Sequence, residues 1–375
     1  MKSLMKTVAL GTIMSVMVAA TAVAGTVRIG LMCPLTGKWA SEGQDMRNIV
    51  ELLAADINAA GGVNGDTIEL VIEDDGGDPR TAALAAQKLT TSDVSAVIGT
   101  YGSAVTEATQ NIYDESGIVQ IGTGSTSVRL TEKGMPLFFR TCPRDDEQGA
   151  VAAKVIQNNA YKRVALLHDN SSYAKGLADE TKALLDAAGT EIVFYDALTP
   201  GERDYNAILT KLKAASPDII FFTGYYPEVG MLLRQKHEMK WDVPMMGGDA
   251  ANNLDLVKIA GTAAAEGYFF LSPPVPQDFD TEKAKTFLAD YQAKYGALPN
   301  SVWSVLAGDA FSVITEAIAK GGSSDAEDIA DYLKNSLKDF PGLSGPIAFN
   351  KKGDRVGDLY RVYSVDADGN FNMQQ

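Results

Sequence analysis

The sequence contains few of the residues that carry catalytic or metal chemistry. Only two histidines occur among 375 residues, and neither His168 nor His237 belongs to a metal-spaced motif such as H-E-x-x-H. A G-x-S-x-G elbow and a G-x-x-x-x-G-K-[ST] loop are both absent from the sequence. The glycines at 99–102 and 122–124 follow expected strands but lack the full dinucleotide-binding spacing. These absences favour a protein that is not an enzyme and that uses no metal or cofactor.

Cysteine is equally scarce, with Cys33 and Cys142 as the two thiols of the chain. One disulfide at most could form in an oxidising compartment, but the sequence does not show that the two residues meet. We expect free, buried thiols. A lipid-carrying cysteine would have to stand at a signal cleavage site, whereas Cys33 lies inside an expected strand. The chain is therefore not expected to be a lipoprotein.

The amino terminus has the three parts of a secretory signal peptide. Two lysines in the first six residues precede an uncharged apolar run, Val8 to Val23, and residues 22–24 form the small-x-small pattern Ala-Val-Ala. The run is short for a membrane span, and no later stretch is expected to cross a bilayer. We expect residues 1–24 to be removed by cleavage near Ala24, which leaves a soluble protein in the periplasm.

Negative charge outweighs positive charge, with 48 acidic and 33 basic residues and a formal net charge of −15. Removal of Lys2 and Lys6 with the signal peptide changes this value to −17. A strongly acidic protein repels phosphate backbones and anionic lipids, so we expect neither nucleic-acid binding nor direct insertion into a membrane. The need for solubility explains most of the negative charge. We also expect the protein to be a monomer.

Apolar runs and helical patterns alternate along the mature chain in two tandem blocks. About 350 residues exceed one compact core, so two domains are expected. The expected strands of the first block are Val27–Met32, Thr67–Glu73, Val94–Ile98 and Ile118–Ile121. Those of the second are Val164–His168, Glu191–Tyr195, Ile219–Thr223, Pro244–Gly247 and Gly267–Leu271. The alternation predicts an α/β fold with two lobes, each a doubly wound parallel sheet.

Helical spacing of apolar residues predicts the connections between these strands. The expected helices of the two blocks are Met46–Ala59, a helix opened by Pro79, Gly176–Ala188, Tyr205–Ala214 and Glu228–Met239. Three further helices are expected at Glu282–Tyr295, Val302–Ala319 and Ala326–Leu337. The proline-rich segment at 272–276 is typical of a linker, and a last strand is expected at Leu359–Val365.

Polar residues follow the expected strands at the sheet edge where open α/β folds bind ligands. Ser103, expected at a helix N-cap, and Thr126 would offer hydroxyls and free amides to a carboxylate. In the second block Tyr173, Tyr225 and Asp249 stand after strands. A buried carboxylate is costly unless it is paired, so a ligand ammonium group would suit Asp249. The alternative is that Ser103, Thr126 and Asp249 only cap helices.

Several ordered stretches resemble the leucine/isoleucine/valine-binding proteins, the LivJ-like branch of the type I periplasmic binding proteins of ABC transporters. These stretches are VRIGLMCPLTG at 27–37, ADINAAGGVNG at 55–65, DDGGDP at 74–79, FRTCPRDDEQG at 139–149, 164–173, GYYPEVGMLLRQ at 224–235, and 259–267. The resemblance implies two lobes joined by a hinge of three chain crossings. It places residues 25–143 and 273–356 in lobe 1, and residues 144–272 and 357–375 in lobe 2.

The resemblance also implies roles for the candidate residues. The serine and threonine that hold the ligand carboxylate in this family correspond to Ser103 and Thr126. The backbone carbonyl of Gly124 and an acid at Asp249 would hold the ligand ammonium group. Tyrosines at Tyr173 and Tyr225 would line the second lobe.

Two departures from the family pattern concern the pocket for the ligand side chain. Glu42 stands where an aromatic residue is common, and Trp39 lies three residues earlier. Gly102 replaces a cysteine whose disulfide partner is also missing, at Gly76-Gly77. Trp39, Tyr101 and Gly102 would shape this pocket.

The resemblance implies the substrate-binding component of an amino-acid ABC transporter. Such a protein would bind a branched-chain or other aliphatic amino acid by hinge closure and present it to an inner-membrane permease. Other ligands of the same fold remain open, namely an aromatic acid, an amide or γ-aminobutyrate. A sensor that serves a different partner and an amidase-type enzyme are further alternatives.

Overall fold

The computed structural model describes residues 25–374, and the predicted signal peptide at 1–24 lies outside these residues. The strands are β1 Thr26–Cys33, β2 Thr67–Asp74, β3 Ala96–Ile98, β4 Val119–Gly122, β5 Phe138–Arg140, β6 Arg163–His168, β7 Glu191–Ala197, β8 Ile219–Thr223, β9 Met245–Gly247, β10 Phe269–Ser272, β11 Phe340–Gly342, β12 Gly345–Ile347, β13 Arg361–Val365 and β14 Phe371–Met373. The helices are α1 Ala40–Ala59, α2 Pro79–Thr90, α3 Ser103–Glu115, α4 Arg129–Glu132, α5 Asp145–Asn158, α6 Ser172–Ala187, α7 Asn206–Ala214, α8 Tyr226–Glu238, α9 Asp255–Ala260, α10 Thr262–Ala265, α11 Glu282–Tyr295, α12 Val302–Gly321 and α13 Ala326–Asp331.

The first sheet has the strand order β2-β1-β3-β4-β5, and all neighbouring strands are parallel. Strands β3 and β4 are buried along their whole length, which explains why they appear in the sequence as continuous apolar runs. Helices α1 and α12 pack together on this sheet, as do α2 and α3. We call this sheet with its helices the first lobe.

The second sheet has the strand order β14-β13-β10-β9-β8-β6-β7. Strands β6 to β10 are parallel and repeat the order of the first sheet, as the tandem blocks predict. Strands β13 and β14 extend the sheet in antiparallel fashion. This sheet with its helices is the second lobe, and the predicted α/β fold with two doubly wound lobes is confirmed.

The chain passes between the two sheets three times, after β5, after β10 and before β13. Because β13 pairs with β10, the carboxyl-terminal part of the chain lies in the second sheet. The tandem pattern alone did not indicate this return. The residues at which each lobe begins and ends, at 143/144, 272/273 and 356/357, stay predictions.

The first helix begins earlier than the sequence pattern predicts. Helix α1 starts at Ala40 instead of Met46, directly after a 3-10 turn, Gly37–Trp39. The prediction relied on the first apolar repeat, but the polar Glu42 is fully buried on this helix as well. A buried acid gives no apolar periodicity, so the first turn was missed.

Short elements also escaped prediction. Strands β5, β11, β12 and β14 have three residues each and are too short to show a period. The last predicted helix, Ala326–Leu337, ends as an α-helix at Asp331 and continues as a π-helical turn, Tyr332–Ser336. Helix α5 was not predicted either, and it supplies residues to the site described below.

Helix α12 corrects the expectation that no later stretch could span a membrane. Within residues 25–374, it is the helix that is long and apolar enough by length and composition. However, 83% of its most apolar part is buried inside the first lobe. A helix that is apolar on all sides is also what the core of a large lobe requires.

A buried ionic cluster holds the end of β5 next to the first crossing. Arg140 is fully buried, and its Nη2 lies 2.6 Å from Asp354 Oδ1. Its Nη1 donates to the carbonyl oxygens of Ser125 and Ser127 at 3.1 and 2.8 Å. Thr126 lies between these two serines, so Arg140 fixes the backbone on both sides of a predicted ligand-binding residue.

Removal of the carboxylate of this cluster is expected to be costly. An Asp354→Ala variant leaves Arg140 without its buried counterion. It also removes the carboxylate oxygen that lies 3.1 Å from Arg144 Nη1. We expect the free energy of unfolding to fall by about 3–5 kcal/mol, measured by urea denaturation at neutral pH. The control is Asp358→Ala, which removes an exposed acid 3.7 Å from Arg361 and should have no measurable effect. Equal losses in both variants would contradict the role of the cluster.

Candidate functional site

The predicted site residues lie at the carboxyl ends of strands in both lobes. The strand orders place a topological switch point between β1 and β3 in the first lobe and between β6 and β8 in the second. In doubly wound sheets, ligands bind at such points. The predicted residues of the first lobe follow β1, β3 and β4, and those of the second lobe follow β6, β8 and β9.

Four aromatic side chains from the two lobes meet at the centre of the molecule. Trp39 and Tyr101 come from the first lobe, and Tyr173 and Tyr225 come from the second. The ring centroid of Tyr225 lies 4.2 Å from Trp39, 5.7 Å from Tyr101 and 5.4 Å from Tyr173. All four side chains are buried, so the two lobes are closed on each other in this structure. We call these four residues the aromatic cluster.

Two predicted glycines allow the aromatic cluster to approach the backbone. A Cβ atom on Gly102 would lie 2.9 Å from the ring of Trp39, and one on Gly124 would lie 2.6 Å from the ring of Tyr101. Any larger residue at either position would push the rings away. The loops after β3 and β4 therefore lie directly against the aromatic cluster.

The structure corrects the prediction that Ser103 is a helix N-cap. Gly102 is the N-cap of α3, and Ser103 is the first helical residue. The Oγ of Ser103 accepts a hydrogen bond from the backbone N–H of Ser127 at 3.2 Å, which joins the loops after β3 and β4. Thr126 is buried and does not cap α4, whose N-cap is Val128. Helix capping therefore does not account for either hydroxyl.

Asp249 lies in a 3-10 turn, Asp249–Ala251, directly after β9. Its side chain is buried, and the N-cap of this turn is Gly248 and not Asp249. Tyr360 donates its hydroxyl hydrogen to Asp249 Oδ2 at 2.8 Å, and the backbone N–H of Asp249 donates to Gln148 Oε1 at 2.9 Å. Burial raises the pKa of Asp249 to about 6, although the hydrogen bond from Tyr360 lowers it.

Sequence reasoning missed three residues that surround Asp249, namely Asp145, Gln148 and Tyr360. Asp145 and Gln148 lie in the first turn of α5, and Gln148 Nε2 donates to the Tyr360 hydroxyl at 3.0 Å. Asp145 and Gln148 belong to the stretch 139–149. They would have been found if the start of a helix after β5 had been recognised in this stretch. Tyr360 precedes a strand that comes from another part of the chain, so no local pattern marked it.

Glu42 is buried between the lobes. Both of its carboxyl oxygens bond to the hydroxyl of Ser301 in the first lobe, at 2.7 and 2.6 Å, and Oε2 accepts from Asn253 of the second lobe at 3.1 Å. Burial raises the pKa of Glu42 to about 8, while the bond from Ser301 lowers it. Glu42 therefore joins the two lobes as a largely protonated acid at neutral pH.

Further polar contacts hold the lobes together at the rim of the cluster. The hydroxyl of Tyr226 donates to the carbonyl oxygen of Lys38 at 3.1 Å, and Lys38 Nζ lies 3.8 Å from the buried Glu228. Elsewhere on the rim, Arg129 of the first lobe donates to Ser172 Oγ of the second at 2.6 Å. The contact of Arg129 is exposed, and such contacts are individually weak, so it favours the closed form only modestly.

The larger surface cavities lie away from the aromatic cluster. One of about 600 Å³ is bordered by Tyr161, Phe269 and Arg361, and one of about 410 Å³ by Arg129, Ser172 and Lys175. Neither contains a predicted site residue. Because the lobes are closed, the candidate site is identified by its buried polar and aromatic groups and not by an open cavity.

Both cysteines are free and buried, as expected from the sequence. Burial raises the pKa of the Cys142 thiol to about 12, and the pKa of Cys33 is also raised by burial. Both thiols are therefore unreactive at neutral pH. Within residues 25–374, no group of three or more histidine, cysteine or acidic side chains is placed to hold a metal ion.

The geometry agrees with a comparison of the whole chain with known protein families. The family profile described as periplasmic binding protein matches residues 26–370. The chain belongs to the periplasmic binding protein family. Membership indicates an exported, periplasmic protein, while the cleavage site lies outside the described residues. The predicted resemblance to the leucine/isoleucine/valine-binding branch is confirmed by the relatives of this periplasmic binding protein.

Two curated relatives and one solved structure illustrate the similarity. "Leu/Ile/Val-binding protein BraC3" of Rhizobium johnstonii is 34% identical over 343 residues, which are 91% of this chain and 92% of the relative. The "Leucine-, isoleucine-, valine-, threonine-, and alanine-binding protein" of Pseudomonas aeruginosa is 35% identical, with 92% and 91% covered. The structure of LivJ from Streptococcus pneumoniae in complex with isoleucine is 31% identical, with a TM-score of 0.85 and coverage of 92% of this chain and 98% of that chain.

The raised pKa of Glu42 predicts how the free energy of unfolding depends on pH. Between about pH 4.5 and 8 the folded protein keeps a proton that the unfolded chain releases, so this group's contribution to stability falls as pH rises. A Glu42→Gln variant keeps a hydrogen-bond acceptor but cannot ionise. Relative to the original protein, its free energy of unfolding should rise by about 2–4 kcal/mol from pH 5 to pH 8.

Urea denaturation at the two pH values measures this difference. The control is Glu51→Gln, which removes an acid from the same helix in a partly exposed position beside Arg47. That variant should follow the pH profile of the original protein. Parallel profiles for the original protein and Glu42→Gln would show that Glu42 is not protonated in the folded state.

Proposed function

We propose that this protein is the periplasmic substrate-binding component of an amino-acid ABC transporter and binds a branched-chain or other aliphatic amino acid by closing its two lobes. One observation carries this proposal. The closed lobes bury hydroxyls and helix-terminal amides of one lobe together with an acid of the other, around an aromatic cluster. A zwitterion with an apolar side chain complements all three kinds of group.

The carboxylate of the ligand is assigned to the loops after β3 and β4. Ser103 and Thr126 are fully buried there and carry hydroxyls. Ser103 also begins α3, a helix of 13 residues whose first amide groups and dipole favour an anion. The hydrogen bond from the Ser127 backbone N–H to the Ser103 hydroxyl holds the two loops in a fixed relative position.

The ammonium group of the ligand is assigned to Asp249 and the backbone carbonyl of Gly124. Asp249 comes from the second lobe, so it reaches the ligand when the lobes close. Its hydrogen bonds with Tyr360 and Gln148 hold the turn after β9 in place. A charge-assisted hydrogen bond between an ammonium group and a carboxylate is about twice as strong as a neutral one.

The side chain of the ligand is assigned to the aromatic cluster and the adjacent Trp303, whose ring centroid lies 6.4 Å from that of Tyr101. Burial of a leucine-sized side chain contributes about 1.5–3 kcal/mol. One methylene group more or less changes selectivity by only about 10- to 200-fold. Discrimination among leucine, isoleucine and valine is therefore expected to be modest, as the names of the relatives also suggest.

Closure connects binding to transport. Groups of the second lobe contact the ligand mainly in the closed form, so the ligand shifts the equilibrium towards that form. A membrane permease can then recognise the closed shape. No catalytic step is part of this proposal.

Removal of the Ser103 hydroxyl tests the carboxylate site. Titration of leucine into a Ser103→Ala variant, followed by calorimetry, should show an affinity about 10-fold lower because one hydrogen bond to a charged group is lost. The control is Ser312→Ala, which removes a partly buried serine hydroxyl that bonds to the carbonyl oxygen of Gly308 on α12 in the same lobe. Unchanged leucine binding in Ser103→Ala would place the carboxylate elsewhere.

Closure itself is tested by small-angle X-ray scattering. The radius of gyration should decrease when leucine is added, because the open form is depleted. In a Tyr226→Phe variant, which lacks the hydroxyl that bonds to Lys38 across the lobes, more leucine should be needed for the same change. A radius that no amino acid alters would exclude hinge closure.

A further inference from the structure

Asp145 is a buried carboxylate to which the proposed function gives no role. It is the first residue of α5, and its side chain is 1% exposed. Within the described part of the chain, its Oδ2 has no hydrogen-bond partner. Leaving a buried polar atom unpaired is costly, so a partner that arrives with a ligand would offset this cost.

The position of Asp145 places that oxygen inside the candidate site. The backbone N–H of Asp145 donates to the carbonyl oxygen of Thr126 at 3.0 Å. The side chain of Gln148 joins Asp145 to Asp249, because its Nε2 lies 3.4 Å from Asp145 Oδ1 and its Oε1 accepts from the Asp249 backbone N–H at 2.9 Å. Asp145 therefore lies between a ligand-binding residue of the first lobe and one of the second.

We propose that Asp145 and Asp249 together form a two-carboxylate seat for the ammonium group of the ligand, and that binding releases the proton which the two acids share in the ligand-free protein. This inference rests on the proposed function, because it requires a ligand that carries an amine. It specifies the ligand class further, since a keto acid has no donor at this position and a hydroxy acid has only one, whereas an ammonium group has three.

The electrostatic environment supports one shared proton. Burial raises the pKa of Asp145 well above its usual value, and the charge of Asp249 raises it further. The hydroxyl of Thr126 and the guanidinium of Arg140 both lower this pKa, but Arg140 is already paired with Asp354, and Asp146 adds negative charge. Asp145 and Asp249 both belong to the second lobe and are joined through Gln148, so they stay neighbours when the lobes open. Two neighbouring acids that are shielded from water do not both ionise, so we assign one shared proton to the pair.

The other titratable groups around the pair stay neutral near neutral pH. Burial raises the pKa of the Cys142 thiol to about 12. It also raises, well above the usual value, the pKa of the four surrounding tyrosines, Tyr101, Tyr173, Tyr225 and Tyr360. When an ammonium group with its three N–H donors enters, both acids become carboxylates and one proton goes to the solvent.

Calorimetry in two buffers measures this proton directly. Leucine is titrated into the full-length mature protein at pH 6.5, once in phosphate and once in imidazole, whose ionisation enthalpies differ. We expect the heats to differ by an amount that corresponds to about one proton released per leucine. The keto acid that corresponds to leucine, 4-methyl-2-oxopentanoate, should release none and should bind more weakly.

An Asp145→Asn variant tests the residue itself. It should release almost no proton and bind leucine about 10- to 100-fold more weakly, because a charge-assisted hydrogen bond is lost. The matched control is Asp309→Asn on α12 of the first lobe. Asp309 is also buried and has a pKa raised by burial, but it accepts hydrogen bonds from the backbone N–H groups of Leu343 and Ser344, away from the aromatic cluster. Its proton release and leucine affinity should be unchanged.

The outcomes separate this inference from the proposed function. If no amino acid produces a binding heat, the proposed function fails. If leucine binds with equal heats in both buffers, or if Asp145→Asn binds leucine as tightly as the original protein, the two-carboxylate seat is wrong while the proposed function stands. If Asp145→Asn does not fold, the two-buffer measurement on the original protein still decides.

Discussion

The cost of burying ionisable groups between two closing lobes governs this structure. Glu42, Asp145 and Asp249 are each buried, and burial raises the pKa of each. A carboxylate that loses water needs protons or hydrogen-bond donors in return. Glu42 obtains them from Ser301 and Asn253, so it joins the lobes when they are closed. Asp145 is less completely paired, because its Oδ2 has no hydrogen-bond partner within residues 25–374, and a site for a cationic group requires such an oxygen.

The architecture brings these groups together with little irregular chain. Both sheets have the same strand order and end at a common cleft, so six short loops supply the candidate site. Arg140 connects the hinge with the proposed carboxylate site. It is paired with Asp354 near the third crossing, and it also holds the loop that carries Thr126. The hinge and the carboxylate site are thus mechanically connected by one buried cation.

Local patterns predicted most of the fold and several of the candidate residues. Period and apolar runs are properties of neighbouring residues, so strands such as Ile219–Thr223 and helices such as Glu282–Tyr295 were placed at the bounds that the structure shows. The short strands β5, β11, β12 and β14 and helix starts made by polar residues were missed, because they carry no such period. The equally short β3 and β9 were found, because each lies within a predicted strand, Val94–Ile98 and Pro244–Gly247. The serine at 103 was assigned one position away from its place, since the N-cap is a glycine.

The sequence by itself determined the two-lobed α/β plan and the loops in which a ligand site would lie, because strand ends and turn residues are local signals. Only the tertiary structure decided that Asp145 and Tyr360 join Asp249, although they lie 104 and 111 positions away along the chain. It also decided that Glu42 pairs with Ser301 and Asn253 rather than with the ligand site. These contacts depend on which strands pair and on how the lobes close, and no short segment of sequence contains that information.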